Sequence, residues 1–157
     1  MSIEIARSHL LKFGLADRIR EFTVSSATVA LAAEALGCEP AHIAKSLTFH
    51  GAEGPILVVA AGDAKVDNAK FKATFGQKAK MLAAEEVETK IGHAVGGVCP
   101  FGVKEGTRVY LDESLRRFAV VYPAAGNAMS AVELSLPELE RASLALGWVD
   151  VTKLPEA

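Results

Sequence analysis

The stretch that decides the fold is Ile43-Ala44-Lys45-Ser46-Leu47-Thr48-Phe49-His50, then Gly51-Ala52-Glu53-Gly54-Pro55, then Ile56-Leu57-Val58-Val59-Ala60-Ala61. Successive side chains of a strand point to opposite faces, so the first run predicts a strand whose odd-numbered residues share one face. The glycines and proline that follow predict a turn. The uninterrupted apolar run predicts a second strand that is buried on both faces.

Outward from this stretch, hydrophobic periodicity and helix-ending residues predict the other elements. The predicted helices cover 3–14, 27–36, 67–75, 83–91 and 137–147, and the predicted strands cover 19–23, 43–50, 56–61, 108–112, 118–123 and 129–134. Helices alternate with strands, but some strands follow one another across short turns. We therefore predict one compact α/β domain over residues 1–157, with a mixed, mostly antiparallel sheet and surrounding helices.

Particular residues set the expected helix ends. A hydroxyl among Ser25, Ser26 and Thr28 can cap the second helix, and Gly37 can end it in a left-handed conformation. In the same way Gly14 is expected to end the first helix. For the last helix, Ser135 is the expected cap and Gly147 the expected stop. The buried side of the first helix is predicted to carry Ile5, Leu10, Leu11 and Phe13.

Composition limits the classes of protein to which the chain can belong. Hydrophobic residues make up 50% and charged residues 23% of the 157 residues, a balance typical of a globular domain. The longest apolar stretch, 55–62, is too short to cross a bilayer, and the N-terminus does not resemble a signal peptide. We therefore expect a soluble, cytoplasmic protein without a membrane partner.

The sequence contains no pattern typical of a metal site or of a disulfide framework. Cys38, Cys99 and the four histidines lack the spacing of a metal site, and two cysteines do not make a disulfide framework. We expect neither a metal nor a cofactor. The net charge of −2 disfavours a protein that coats nucleic acid, although it permits a local basic patch. Five lysines form such a patch, which is either a solvated face or an RNA contact: Lys65, Lys70, Lys72, Lys78 and Lys80.

Lys45 is the first candidate for chemistry. A lysine among apolar residues on a strand face is costly unless its ammonium reaches solvent, a carboxylate or a bound anion. Two interpretations stay open. Either the stem runs to solvent at a strand end, or the ammonium points into a cleft, where it would suit a phosphate or a polarised carbonyl.

Two loops of small residues are further candidates. The loop Gly96-Gly97-Val98-Cys99-Pro100-Phe101-Gly102 either brings backbone N–H groups to an oxyanion or is an ordinary tight loop. The run Ala124-Ala125-Gly126-Asn127-Ala128 either leaves room for a ligand or forms a turn. Cys99 is either a nucleophile or a packing residue, and no neighbouring histidine in the sequence supports the first. The nearest acids are Asp63, Asp67 and Asp112, which suit positioning roles or, for the first two, helix caps.

The candidate segments form an ordered series of short motifs along the chain. In sequence they are Ala32-Ala33 with Leu36-Gly37, Ile43-Ala44-Lys45-Ser46-Leu47, Gly62-Asp63 with Val66-Asp67 and Lys70, the loop 96–102, and 109–115 with Ala124-Ala125-Gly126. Together they resemble the signature of the YbaK/EbsC family, free-standing relatives of the editing domain of bacterial prolyl-tRNA synthetase. The resemblance runs from about residue 20 to residue 145.

The resemblance implies hydrolysis of the ester between a mischarged small amino acid and the 3′-terminal adenosine of tRNA, with tRNA(Pro) as the expected carrier. Lys45 falls at the family's essential lysine, which holds the terminal nucleotide and sets the ester in place. The run from Gly96 to Pro100 falls on the family's G-x-x-x-P loop, whose backbone faces the substrate carbonyl while water attacks. The expected partners are the aminoacyl-tRNA acceptor end and prolyl-tRNA synthetase.

The resemblance also assigns candidate contacts. The substrate-binding candidates are Ser46, Gly96, Gly97, Val98, Cys99, Pro100, Phe101, Gly102, Asp112, Gly126 and Asn127, and the RNA-contact candidates are Lys65, Lys70 and Lys72. Some members carry Gly-Gly and basic residues near Gly126, and a smaller residue in place of Cys99, so the amino acid removed stays open. Two other functions remain: a non-catalytic module that binds a nucleotide or RNA end, and a hydrolase of another substrate with Cys99 as nucleophile.

Overall fold

Helices and short strands alternate in the computed structural model, which describes residues 2–155. The helices are α1 Ser2–Leu11, α2 Val29–Leu36, α3 Asn68–Phe75, α4 Ala84–Ile91 and α5 Leu136–Ser143. The strands are β1 Ile19–Glu21, β2 Ile43–Phe49, β3 Ile56–Ala61, β4 Lys65–Val66, β5 Arg108–Asp112, β6 Val120–Pro123, β7 Ser130–Val132, β8 Leu134–Ser135, β9 Trp148–Val149 and β10 Thr152–Lys153. The predicted domain also included Met1, Glu156 and Ala157, which lie outside the described residues.

A six-stranded sheet with the order β8-β6-β2-β3-β5-β9 forms the centre of the fold. The pairs β2–β3 and β6–β8 are antiparallel, while β2–β6, β3–β5 and β5–β9 are parallel. Two small antiparallel pairs, β1–β7 and β4–β10, stand beside it. The predicted mixed sheet in an α/β domain is confirmed, and antiparallel pairs are in the majority once the two small sheets are included.

The strand β3 separates two parts of the hydrophobic core, and all six of its residues are buried. Leu57, Val59 and Ala61 face the larger part, which α1, α4 and α5 cover. Ile56 and Val58 face the smaller part, which contains side chains of α3. The uninterrupted apolar run of β3 follows from this position, because neither of its faces meets water.

Short-range capping explains where most helices begin and end. Thr28 accepts a hydrogen bond from the Leu31 amide at the start of α2, and Gly37 ends that helix with a φ of 71°. Asp67 caps α3 in the same way. At α5, Ser135 and Glu138 form a reciprocal capping box. No helix within residues 2–155 is long and apolar enough to span a bilayer.

The ends of α1 and α5 differ from the sequence predictions. α1 ends at Leu11 because the chain tightens into a turn before Gly14, and its buried side carries Ala6 and Leu10, whereas Ile5 and Leu11 are exposed. α5 ends at Ser143 rather than near Gly147. Leu144 adopts a left-handed φ of 54° there, a conformation that a sequence pattern does not assign to leucine.

Asp112 ties the end of β5 to the C-terminal segment. Its buried carboxylate accepts hydrogen bonds from the amides of Ser114 and Val151, both at 2.9 Å, and from the Thr152 hydroxyl at 2.7 Å. This carboxylate does not line the cavity described below, so the structure gives Asp112 a place in the fold rather than in the predicted pocket.

We expect Asp112→Ala to lower the free energy of unfolding by about 3 kcal/mol, because three donors lose a buried acceptor. Urea denaturation measures the change. Glu113→Ala is the matched control, since Glu113 is exposed and forms a surface pair with Arg116 at 3.1 Å; a change below about 0.5 kcal/mol is expected there. Equal effects of the two variants would contradict this role of Asp112.

Candidate active site

Lys45 holds its ammonium group against main-chain carbonyls. Its side chain leaves the middle of β2, and Nζ donates to the carbonyl oxygens of Gly62, at 3.2 Å, and Ala64, at 2.5 Å. Burial lowers the pKa of this ammonium, whereas the nearby Asp63 carboxylate raises it. An ammonium has three hydrogens, so one remains for a further acceptor.

A cavity of about 340 Å³ lies beside Lys45. Its walls come from β2, the start of α2, the segments 81–87 and 95–98, and the region from Tyr122 to Ala131. Lys45 is the only charged residue among the described residues that line it. Most of the others are small or aliphatic, so the cavity suits a small, uncharged group beside one positive charge.

Ser46 lines this cavity and carries a hydroxyl with unused hydrogen-bonding capacity. Its Oγ is buried and has no hydrogen-bond partner among the described residues. In contrast, the Ser26 hydroxyl accepts from the Ser130 amide at 3.0 Å and donates to the Ser130 carbonyl at 3.3 Å. Ser26 therefore joins two walls of the cavity, while the buried hydroxyl of Ser46 is left without a partner among the described residues.

The loop 96–102 divides into two halves. Gly96 and Val98 line the cavity, and Gly97 packs directly on the backbone of Asn127, where a Cβ would lie 2.4 Å from the Asn127 nitrogen and Cα. The second half turns inward. Cys99, Pro100 and Phe101 are buried, and Gly102 lies under Ile5 of α1. Only the first half of this loop faces the cavity.

Cys99 has a histidine neighbour, but the pair is not arranged as a nucleophile and base. His93 Nε2 lies 3.6 Å from Cys99 Sγ and 2.6 Å from the Phe101 carbonyl oxygen. Because a carbonyl only accepts, Nε2 carries its hydrogen toward Phe101 and cannot take the thiol proton. Burial raises the pKa of the Cys99 thiol to about 12. Cys99 therefore packs in the hydrophobic core, and His93, six residues earlier in the chain, is a neighbour that the sequence analysis did not connect with it.

Gly126 and Asn127 build a turn behind the loop 96–102. Asn127 Oδ1 accepts from the Met129 amide at 3.0 Å, and Gly126 is buried with a φ of 100°. Neither residue lines the cavity, whereas their neighbour Ala124 does. The turn interpretation of this segment therefore fits the structure, and its contribution to the cavity is the support that it gives to Gly97.

The three lysines predicted to contact RNA differ in their surroundings. Lys70 donates to the Asp150 carboxylate at 3.0 Å and to the Thr152 carbonyl at 2.9 Å. Lys65 and Lys72 are exposed, and the charge of Lys65 is close enough to Lys45 to lower the pKa of that ammonium. The basic surface beside the cavity is thus carried by Lys65 rather than by Lys70.

Comparison with known proteins agrees with this geometry. The family model described as the aminoacyl-tRNA editing domain matches residues 23–142, which include every residue that lines the cavity. The chain belongs to the aminoacyl-tRNA editing domain family. The expected resemblance is therefore confirmed at the level of the family.

The relatives of this chain match it over different parts of its length. YwhH of Bacillus subtilis, whose function is uncharacterized, is 50% identical over 155 residues and 98% of each chain. A proline–tRNA ligase of Thermotoga sp. is 38% identical over 77 residues, which are 48% of this chain and only 13% of the ligase. A solved protein described as a candidate trans-editing enzyme for prolyl-tRNA synthetase has a TM-score of 0.87 and 29% identity, with 97% of each chain covered.

Several residues that line the cavity were not predicted as site residues from the sequence. Tyr122, Ser130 and Ala131 come from the end of β6 and from β7, and the first turn of α2 contributes Val29. The hydroxyl cluster before α2 was recognised only as a helix cap. Nothing in the local pattern of these residues shows that they lie opposite Lys45.

We expect Gly97→Ala to destabilise the fold by about 1–3 kcal/mol, because the added methyl group forces apart the two backbones that meet at Asn127. Urea denaturation tests this expectation. Gly147→Ala is the matched control, since a Cβ at Gly147 meets nothing within 4 Å; that variant should be unchanged or slightly more stable. A fully stable Gly97→Ala protein would contradict the close approach.

Proposed function

We propose that the protein is an aminoacyl-tRNA deacylase that acts in trans and removes a small mischarged amino acid from tRNA, with tRNA(Pro) as the expected carrier. One observation carries the proposal: Lys45, Gly96 and Val98 border the same cavity, and the other described residues that line it are uncharged. Membership of the editing domain family supports it.

Lys45 supplies a fixed positive charge in this proposal. Its two hydrogen bonds to main-chain carbonyls set the direction of Nζ, and its remaining hydrogen meets an oxygen of the terminal nucleotide or of the ester. A group that is already oriented does not have to be reorganised when charge develops during the reaction. Lys45 thus acts by placing the ester and by stabilising negative charge.

Hydrolysis itself requires only water and the ester. Water attacks the ester carbonyl, the bond to the ribose oxygen breaks, and the products are the free amino acid and tRNA with its terminal hydroxyl restored. The backbone N–H groups of Gly96 and Val98, at the wall of the cavity, are the proposed donors to the oxyanion, because the Gly97 amide already donates to the Ala94 carbonyl at 3.0 Å. The described lining residues include no histidine or carboxylate, so water has no protein side chain of the usual kind as its base.

The walls of the cavity set the size of the amino acid that fits. Ala32, Ala44 and Ala131 line it, and their methyl groups leave space for a short side chain. A pocket of this kind separates side chains that differ by one methylene by only about 1–3 kcal/mol. The Ser46 hydroxyl offers one hydrogen bond that would favour a substrate able to use it.

The proposed partners follow from this substrate. The acceptor end of tRNA would approach across the mouth of the cavity, with exposed Lys65 and Lys72 as contacts for phosphates. Prolyl-tRNA synthetase is the proposed protein partner, because part of proline–tRNA ligases is similar to this chain. A cytoplasmic location follows from the substrate.

Lys45→Ala is expected to reduce the rate of deacylation by about 100-fold or more, since a preorganised charge of this kind commonly contributes that much. The assay uses tRNA(Pro) charged with Ala, Cys, Ser or Pro, together with uncatalysed hydrolysis as the blank. Lys12→Ala is the control, because Lys12 is exposed at the end of α1 and does not line the cavity. Full activity of the Lys45→Ala protein would contradict the mechanism.

A non-catalytic binding module is the second candidate function, favoured by the absence of a histidine or carboxylate among the described lining residues. The same panel separates the two functions. Hydrolysis of one mischarged tRNA supports the deacylase. Tight binding of charged tRNA without turnover, across all four amino acids and with other tRNAs, supports the binding module.

We expect Cys99→Ser to keep its deacylase activity within about threefold, because its thiol is buried, lies away from the cavity and has no base to activate it. A thiol reagent gives a second measurement: the native protein should react at the partly exposed Cys38 and not at Cys99. Loss of activity in a folded Cys99→Ser protein would restore the thiol hydrolase as a hypothesis.

A further inference from the structure

The carbonyl oxygens that hold Lys45 belong to a turn that is itself held by an ion pair. Asp63 lies between Gly62 and Ala64 in the turn after β3. Its two carboxylate oxygens accept from Arg117, Oδ2 from Nη1 at 3.0 Å and Oδ1 from Nη2 at 2.6 Å. This two-point contact fixes the orientation of the carboxylate as well as its position.

Further contacts hold the guanidinium group of Arg117 in place. Its Nε donates to the Ser114 carbonyl at 3.0 Å, and its guanidinium lies 4.7 Å from the centre of the Phe118 ring. The hydroxyl of Ser114 also accepts from the Ala61 amide at 3.0 Å, at the end of β3. The 3-10 turn Glu113–Arg117 therefore contacts both the end of β3 and the turn that follows it.

The carboxylate of Asp63 has two cations within electrostatic reach. The pKa of Asp63 is lowered by the hydrogen bonds from Arg117 and, to a smaller extent, by the charge of Lys45. Arg117 bonds to both oxygens of this carboxylate, and the ammonium of Lys45 bonds to carbonyls and not to the carboxylate. Direct pairing with Asp63 would neutralise the cation and turn it away from the cavity.

We propose that Asp63 and Arg117 are positioning residues for Lys45: their ion pair fixes the turn 62–64, which aims the ammonium at the cavity, and it keeps the carboxylate from capturing that ammonium. The catalytic consequence rests on the proposed deacylase function. The geometric part concerns only the protein and can be tested without a substrate.

The first test is a titration of Lys45 by NMR through its side-chain Cε resonance, assigned with a Lys45→Arg variant. In Arg117→Gln the carboxylate is released toward Lys45, so the pKa of Lys45 should rise. In Asp63→Asn the carboxylate that raises this pKa is removed, so the pKa should fall below that of the unmodified protein.

Opposite signs in these two variants argue against simple loosening of the turn, but the loss of each charge by itself also shifts the pKa of Lys45 in these directions. If the ion pair only stabilised the fold, each variant would loosen the turn and expose Lys45, and the pKa would rise in both. A rise in both variants, or no change in either, would overturn the proposal. Arg117→Lys is therefore the deciding variant, because it keeps the cation but not the two-point contact. The pKa of Lys45 should rise in it as well, and an unchanged pKa would overturn the proposal, since the rise in Arg117→Gln would then come from the lost charge alone.

Arg18→Gln is the matched control. Arg18 also makes a two-point contact with a carboxylate, to Glu138 at 3.0 and 2.9 Å, in a pair that has no hydrogen bond to the turn 62–64. It should leave both the Lys45 titration and deacylation unchanged, while Arg117→Gln should lower kcat/KM by roughly 10- to 100-fold. If the unmodified protein hydrolyses no charged tRNA, the proposed function fails, whereas the signs of the titration still decide the positioning role.

Discussion

The candidate site depends on one costly arrangement, a half-buried ammonium group. Lys45 extends from β2, and two main-chain carbonyls accept hydrogen bonds from its Nζ. Carbonyl dipoles offset part of the cost of burying the charge. Unlike a carboxylate partner, they leave the positive charge of the ammonium in place. Both carbonyls follow β3, and the β2–β3 register places Lys45 opposite Ala60, two residues before Gly62. The position of the cation is therefore fixed by the pairing of the two strands that dominate the core.

Much of the fold could be predicted because its decisive segments follow simple patterns. The apolar run of β3 is buried on both faces, and the hydroxyl, acid and glycine residues around α2 and α3 satisfy backbone groups nearby in the sequence. The ends of α1 and α5 could not be predicted, because tertiary contacts decide them. Ile5 lies over Gly102, and Leu144 is held in a left-handed conformation that its sequence does not favour.

The site was harder to predict than the fold because a motif does not say which of its residues faces the ligand. Lys45, Ser46, Gly96 and Val98 border the cavity, while Cys99 and Asp112, which belong to equally specific motifs, are buried elsewhere. Arg117 was not recognised at all. It is separated from Asp63 by 54 residues, and only the parallel pairing of β3 with β5 brings the turn Glu113–Arg117 beside it.

The arrangement of charges limits the chemistry that the site can perform. Among the described lining residues one cation stands without a histidine or carboxylate, so the protein can orient a group and stabilise negative charge but has no evident side chain to transfer a proton. An ester of an amino acid is already reactive toward water, and for such a substrate orientation and charge stabilisation account for much of the acceleration that is needed. A cavity with a fixed cation, a loop at its wall and small lining side chains fits a substrate of this kind. Under the proposed function, selectivity would come from the shape of the cavity, since the described lining residues carry no second charge to discriminate between substrates.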